Sequence, residues 1–403
     1  MIIKNGLIQK NFALIKKDIQ IENGKIVTVA DNIDIDGERV LDASGLLIVP
    51  AAVDVHIHLR EPGFTDKETI ATGTRSAAKG GVGTVMAMPN LRPVPDCHEV
   101  LNGLETIIKK TARVNVYPYA SLTKGQLGLK PTDIKELWGR VKAFSDDGKG
   151  VNNREVLLTA MRLAAECGAI IASHAEADGY GDSPEAEYIA VERELELVRE
   201  TGCKYHFCHM STAKSFALIK KAKDDGLDVT CEVTPHHLFL TDEDVEDRPN
   251  YKMNPPLRSR EDKEATLVAL LTGVADMIAT DHAPHTEAEK SLPFSDAPYG
   301  IIGLETLFPL VYTKLVKAGI ASVNDMIRWV TVNPANRFRL PYSRIREGCR
   351  ADIAGLDILT PHIYQQSEIL SKGKNSPFIG ESLYGFNKLT ILNGKLIYSG
   401  ENR

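Results

Sequence analysis

The chain of 403 residues carries 48 lysines and arginines against 54 aspartates and glutamates, a formal net charge of −6. Its 43% hydrophobic and 25% charged content is that of a globular protein with a large core and more than one domain. No broad basic field favours nucleic acid or an anionic membrane, so an anionic substrate would need positive charge gathered locally. Six cysteines (Cys97, Cys167, Cys203, Cys208, Cys231 and Cys349) form no C-x-x-C pair and no framework of a small secreted domain. The N-terminus MIIKNGLIQKNF lacks a signal-peptide core, and no stretch approaches the ~18 apolar residues of a membrane span. These features predict a reduced, cytoplasmic enzyme.

Residues 1–48 read as short strands and turns. KNGLI at 4–8 and ENGKIVTV at 22–29 both place Asn-Gly between apolar runs, which predicts hairpins. From 49 to 345, strand-like and helix-like segments alternate. LLIVPAAVDVHIHL leads to a helical stretch at 67–79, and GVGTVMAMPN to another at 97–110. VNVYPYASL precedes PTDIKELWG, and VKAFSDDG precedes the helical stretch 154–167. AIIASHAE, KYHFCHMS, DVTCEVTPHH and DMIATDHAPH follow, with helical stretches such as 212–225 between most of them. About eight β-then-α units predict a (β/α)8 barrel. A doubly wound sheet is the alternative, but no Gly-x-Gly-x-x-Gly turn follows an early strand. At 346–403 the β grammar returns, with LTILNGKLIYSG at 389–400, so a small β-sandwich domain built from both termini is expected beside the barrel.

Almost every expected barrel strand ends in a histidine or an aspartate. In DVHIHLREPG at 54–63, residues two apart on a strand point the same way, so His56 and His58 project together. Asp147 lies in FSDDG, His174 in ASHAE, His209 in FCHMS and Asp281 in ATDHAPH. Singly, each reads as a cap or a core hydrogen bond; at successive strand ends they form a donor set. Four imidazoles and two carboxylates suit two zinc ions bridged by one carboxylate and a hydroxide. Such a centre keeps a net positive charge, which attracts an anion and acidifies bound water. Physical reasoning leaves Asp146 and Asp147 equivalent as the bridge.

The order H-x-H, Asp, His, His, Asp resembles the amidohydrolase superfamily. More narrowly, DVHIHLREPG, AMPNLRPVPD, AFSDDG, YKMNPPLR, IATDHAPH, PYGIIGLET and SKGKNSPFIGE resemble the dihydroorotases of the longer bacterial class, from the first hairpin to about residue 382. The resemblance implies two zinc ions per subunit, one on His56, His58 and Asp281 and the other on His174 and His209. Asp147, rather than Asp146, then matches the bridging carboxylate. Arg60 and Asn90, completed by His285, match the groups that hold a substrate carboxylate; Asn254 and the backbone of Tyr299 and Gly300 match contacts to the ring amide. A guanidinium grips a carboxylate bidentately, which suits Arg60 to that task. Hydantoinases and allantoinases are similar but carry a carboxylated lysine at the bridge, where this chain has Asp147 and where Lys142 falls too early.

The implied activity is the reversible cyclisation of N-carbamoyl-L-aspartate to L-dihydroorotate in de novo pyrimidine biosynthesis, with a zinc-activated hydroxide and Asp281 as general base and acid. The alternatives are another cyclic-amide hydrolase (hydantoinase, dihydropyrimidinase or allantoinase) or an inactive scaffold of the same fold. The family also implies a homodimer and, in some members, association with aspartate transcarbamoylase. His236 and His237 in TPHHL stand between packing and direct function. His98, His206 and His362 have no motif partner and read as surface or core residues, and Cys208 as a small apolar one. One departure from the family pattern is the stretch ADGYGDSPEAEYIAVERELELVRE after SHAE, which is shorter than the class usually carries before its next helix.

Overall fold

The computed structural model describes residues 1–11, 13–35 and 37–400. An eight-stranded sheet joins the two ends of the chain in the order Lys395–Ser399, Phe386–Leu392, Ile353–Asp357, Leu46–Pro50, Ile2–Lys10, Ala13–Glu22, Lys25–Ala30, with Val40–Asp42 also on Ile2–Lys10. The seam is the antiparallel pair Leu46–Pro50 and Ile353–Asp357. One face packs Ile3, Ile19, Ile26, Leu41, Ile48, Ile353 and Ile391 into a core of its own. The apolar run LLIVPAAVDVHI therefore serves two bodies: Leu46–Pro50 completes this sheet, and Ala52–Ile57 opens the barrel.

Two of the Asn-Gly pairs turn hairpins. Asn23 and Gly24, with φ of 49° and 78°, connect Glu22 to its partner Lys25, and Asn393 and Gly394, with φ of 49° and 73°, connect Leu392 to Lys395. The pair Asn5-Gly6 does not, and the hairpin expected at 4–8 is absent. It lies inside the continuous strand Ile2–Lys10, where the register shifts between Ile3 and Gly6 and Asn5 takes φ 62°. Tertiary packing decides this: the Asn5 N–H donates to the buried Asp18 carboxylate at 2.9 Å, and a side chain on Gly6 would meet Ile48. The result is a β-bulge instead of a turn.

The barrel strands are Ala52–Ile57, Val82–Ala87, Asn115–Pro118 continued by Ala120–Ser121, Phe144–Ser145, Ile170–Ser173, Lys204–Phe207, Val229–Val233 and Met277–Ile278. They pair in parallel in that order, with Tyr119 N–H donating to Ala87 O at 2.9 Å across the interrupted third strand. Closure comes from the parallel bridge between Ile57 and His282, reinforced by His58 N–H to His282 O at 2.8 Å. Helices cross back between the strands, and their ends follow local chemistry. For Arg154–Cys167, the Asn153 side chain caps the N–H groups of Glu155 and Val156, and Gly168 ends the helix at φ 71°.

The barrel interior is filled. Val55, Met86, Tyr119, Ile170, Ala172, Cys208, Met277 and Phe338 pack there, with the Tyr119 hydroxyl donating to Val55 O at 2.9 Å. A packed interior leaves only the rim at the strands' C-terminal ends for polar chemistry. No helix among the described residues is long and apolar enough to cross a membrane.

Candidate metal centre

His56, His58, Asp147, His174, His209 and Asp281 all converge on that rim, each at most 7% exposed. Three residues around the centre leave the strand conformation for the left-handed region: Arg60 at φ 59°, His209 at 36° and Asp281 at 48°. Such positions cost about 1–3 kcal/mol each in non-glycine residues and persist where the surroundings demand them.

Asp147 stands at the middle. Its Oδ1 lies 3.2 Å from His56 Nε2, 3.6 Å from His209 Nε2 and 3.7 Å from His174 Nδ1, and its Oδ2 lies 3.5 Å from His58 Nε2. Asp281 Oδ1 lies 2.9 Å from His58 Nε2 and 3.4 Å from His56 Nε2. Asp147 thus faces both histidine pairs, whereas Asp281 touches the first. Asp146 points away: its carboxylate accepts from Leu122 N at 2.8 Å, Thr123 N at 3.1 Å and the Thr123 hydroxyl. Neighbouring residues at a strand end face opposite sides, which separates two carboxylates that are chemically identical in the sequence.

The outer nitrogens of His56, His58 and His174 are tied, which aims their lone pairs inward, whereas His209 Nδ1 has no partner among the described residues. Carboxylates and the Asn90 carbonyl can only accept, so His56 Nδ1–H donates to Glu232 at 2.6 Å, His58 Nδ1–H to Asn90 Oδ1 at 2.9 Å, and His174 Nε2–H to Glu176 at 2.6 Å. That leaves His56 Nε2 and Asp147 Oδ1 buried without hydrogen-bond partners, and His174 Nδ1 facing His209 Nε2 at 2.9 Å. Inward lone pairs and carboxylate oxygens packed this closely need positive charge among them. Four donor groups meet the distance requirement for a metal ion: His56 with His58 and Asp147, Asp147 with His174 and His209, His56 with His209 and Asp281, and His56 with Cys208 and Glu232; the first two share Asp147.

Electrostatics agree. Burial would raise the Asp281 carboxyl, but the charges of His56 and His58 overcome it and hold the group well below the usual carboxylate range. Burial likewise opposes ionisation of Asp147, and His56 and His209 overcome it. His56 is pushed up against its own burial by Asp147, Asp281 and Glu232. Both carboxylates are therefore anions ready to ligate.

Glu232 is a buried neighbour of the centre that motif reading missed. On the strand Val229–Val233, Cys231 and Val233 face the helices, so Glu232 between them faces the barrel interior, fully buried. It accepts from His56 Nδ1 and, at 3.1 Å, from His206 Nε2, whose Nδ1 lies 2.8 Å from the Thr230 hydroxyl. His56 and His206 hold its carboxyl near 2 despite burial. A glutamate at an inward strand position was the available signal. His206, read from sequence as an ordinary residue, supports this carboxylate, one step removed from the centre. Carboxylates that orient a ligating histidine typically contribute 10–100-fold to metal affinity. Glu232→Gln is accordingly expected to weaken metal retention about 10–100-fold, measured by chelator competition; unchanged retention would show that Glu232 only fills space.

A cleft of about 310 Å³ opens above the centre, lined by His58, Arg60, Asn90, Asp147, His174, Asn254, Asp281, Tyr299 and Gly300 among others. Arg60 Nε donates to Pro284 O at 3.3 Å, and among the described residues no carboxylate forms an ion pair with its guanidinium. Asn90 spends its carbonyl on His58 and one N–H on Asp147 O at 2.6 Å, leaving a second N–H for a ligand. Asn254 Nδ2 donates to Glu176 at 2.9 Å, which frees its carbonyl to accept. Across the mouth, the Tyr299 hydroxyl donates to Asp182 at 2.9 Å, tying the segment after His174 to the opposite wall.

His285 sits differently from the other expected substrate contacts. Its Nε2–H donates to Tyr299 O at 2.8 Å, its Nδ1 lies 3.3 Å from Lys67 Nζ, and the ring borders a neighbouring cavity instead of the cleft. Burial, then Arg60 and Lys67, lower its pKa to about 3, so the ring is neutral. Arg60 Nη2 lies 3.4 Å from Nε2, whose proton is already given to Tyr299 O, so the ring packs beside the guanidinium without accepting from it. Of the TPHHL pair, His237 packs: Thr234 Oγ1 lies 2.8 Å from Nδ1, and Nε2–H donates to Pro255 O at 3.0 Å, beside Asn254. His236 is buried with Nε2 unpartnered among the described residues. His98 is exposed beside Arg140, and His362 pairs with Glu368 at 2.9 Å, as surface residues do.

A closed parallel barrel with this donor set at its C-terminal rim, beside a β domain made from both termini, defines a hydrolase of the amidohydrolase type. The family model for dihydro-orotase-like proteins matches residues 45–187. The dihydroorotase of Listeria innocua serovar 6a is 43% identical over 424 aligned positions, covering 100% of both chains. That of Bacillus cereus (strain AH820) is 44% identical, covering 100% of this chain and 99% of its own. The chain belongs to the dihydroorotase family. Because 424 positions exceed the chain's 403 residues, these relatives carry residues that it lacks. Among solved structures, the L-hydantoinase (dihydropyrimidinase) of Arthrobacter aurescens superposes with a TM-score of 0.89 at 25% identity, over 100% of this chain and 97% of its own. The dihydropyrimidinase of Brevibacillus agri NCHU1002 gives 0.89 at 20%, over 100% and 95%, a likeness of fold.

Proposed function

We propose that the chain interconverts N-carbamoyl-L-aspartate and L-dihydroorotate as a cytoplasmic enzyme of pyrimidine biosynthesis, with two zinc ions at the centre. His56, His58 and Asp281 would hold one ion and His174 and His209 the other, with Asp147 within reach of both groups. Bound zinc supplies a Lewis acid that polarises a carbonyl and acidifies water. The chain's own residues do the rest. In the hydrolytic direction, water adds to the ring carbonyl and the carbon–nitrogen bond breaks. Asp281 takes the proton from the attacking water and delivers it to the departing ring nitrogen; in ring closure it accepts the ureido proton. Arg60 and the free N–H of Asn90 hold the exocyclic carboxylate, Pro284 O accepts from Arg60 Nε, and Asn254 with the backbone of Tyr299 and Gly300 orients the ring amide.

The observation that carries this reading is Arg60, a partly buried guanidinium on the cleft wall that forms no ion pair with a carboxylate among the described residues. Hydantoins, dihydropyrimidines and allantoin lack the exocyclic carboxylate that would fill this role, and the bridging position holds Asp147 instead of a lysine. A side-by-side assay with dihydroorotate, hydantoin and allantoin tests the reading, with dihydroorotate expected to be turned over fastest. Chelation should abolish turnover and zinc should restore it. Turnover of hydantoin or allantoin but not dihydroorotate would overturn the substrate assignment.

A further inference from the structure

The segment 371–380 lies outside the barrel strands, yet one of its side chains reaches both walls of the cleft. Asn375, 3% exposed, has three polar side-chain groups and uses all of them. Its Oδ1 accepts from His285 N at 3.1 Å, and its Nδ2 donates to Ala283 O at 3.1 Å and to Gly300 O at 3.0 Å. Its backbone carbonyl accepts from Ile302 N at 3.0 Å. A single residue therefore staples the loop that leaves Asp281 to the loop that carries Tyr299 and Gly300.

What the two loops hold makes the staple matter. Ala283 and Gly300 line the cleft, and Pro284, between the stapled Ala283 and His285, accepts from Arg60 Nε at 3.3 Å. Gly300 has φ 135° and lies so close to Ala283 that a Cβ would meet Ala283 O at 2.8 Å, so no side chain can anchor this wall from its own position. Asn375 supplies the anchor from outside. The task needs one acceptor and two donors in a plane at carboxamide spacing: aspartate lacks the donors, leucine lacks all three groups and glutamine is a methylene too long.

We propose that Asn375 is a positioning residue for substrate recognition: it sets the separation between the Arg60 side of the cleft and the Gly300 wall, and so the fit of a ring bearing a carboxylate. The inference rests on the proposed function, because it takes these walls to be the substrate's. It predicts a change in binding more than in the chemical step, since Asn375 touches neither the metal ligands nor Asp281.

The test compares the zinc-loaded wild type with Asn375→Asp and Asn375→Ala, reading KM and kcat for dihydroorotate, zinc content and thermal midpoint. A buried hydrogen bond is worth about a factor of ten, so KM should rise at least about tenfold while kcat stays within about threefold and zinc content is unchanged. Gly373→Ala provides a gentler second variant, because its Cβ would press on Asn375 Oδ1 and Pro284 Cβ, both 2.7 Å away; KM should rise in the same direction. KM within twofold of wild type in the folded variants overturns the inference, as does a loss of kcat and zinc together at constant KM. If the wild type itself does not turn over dihydroorotate, the proposed function fails instead, which separates the two.

Discussion

Asp281→Asn should lower kcat for dihydroorotate on the order of 10³-fold while the fold persists, because a general base and acid contributes about 10²–10⁴. The amide keeps the volume and a carbonyl oxygen near His58 Nε2, 2.9 Å from Asp281 Oδ1 in the wild type, but it can neither take nor return a proton. Its loss of charge also weakens the metal group on His56 and His58, so the comparison belongs at saturating zinc, with bound metal measured alongside activity. Full zinc content with kcat near zero assigns the deficit to proton transfer. Full zinc content with a near-normal rate would remove Asp281 from that role. The site is built for the charged form: His56 and His58 keep the carboxyl ionised against its burial.

The second large effect is expected at Arg60. Arg60→Ala should lower kcat/KM for dihydroorotate about 10²-fold, the scale of a charge-assisted hydrogen-bonded contact, and chiefly through KM. Arg60→Lys should recover little, since an ammonium cannot present two parallel N–H groups. The informative control is the methyl ester of dihydroorotate, which lacks the negative charge. The wild type should prefer the acid strongly and Arg60→Ala should not. Equal losses on acid and ester, or unchanged kinetics on the acid, would contradict a carboxylate clamp. Haldane's relation requires kcat/KM to fall by the same factor in the ring-closing direction, which gives an independent check.

Much of this centre was legible in the primary structure because strand and barrel periodicities are local. His56 and His58 share a face by their spacing, and His174, His209 and Asp281 each follow an apolar run that had to be a buried parallel strand. The H-x-H motif alone would have been weak; the ordered succession of donors along one barrel made it specific. The short-range rule failed at Asn5-Gly6, where the same dipeptide that turns a hairpin at Asn23-Gly24 became a bulge, because Asp18 and Ile48 sit across from it.

What the sequence by itself determined was which residue types arrive at the rim and in what order. Tertiary structure decided the pairings that depend on direction and on distant neighbours. Asp146 and Asp147 differ only in the side of the strand they face, and just one of them meets the histidines. Glu232 lies 176 positions from His56 and is identified as its support only by their 2.6 Å contact. Asn375 reaches the cleft from a segment with no catalytic motif, through hydrogen bonds to loops 75 to 92 positions away. His285 carries the expected residue type but turns its ring to Tyr299 and Lys67, leaving Arg60 on the cleft wall. Periodicity is set by neighbours a few residues apart, whereas orientation and partner choice are settled only when the chain has closed on itself.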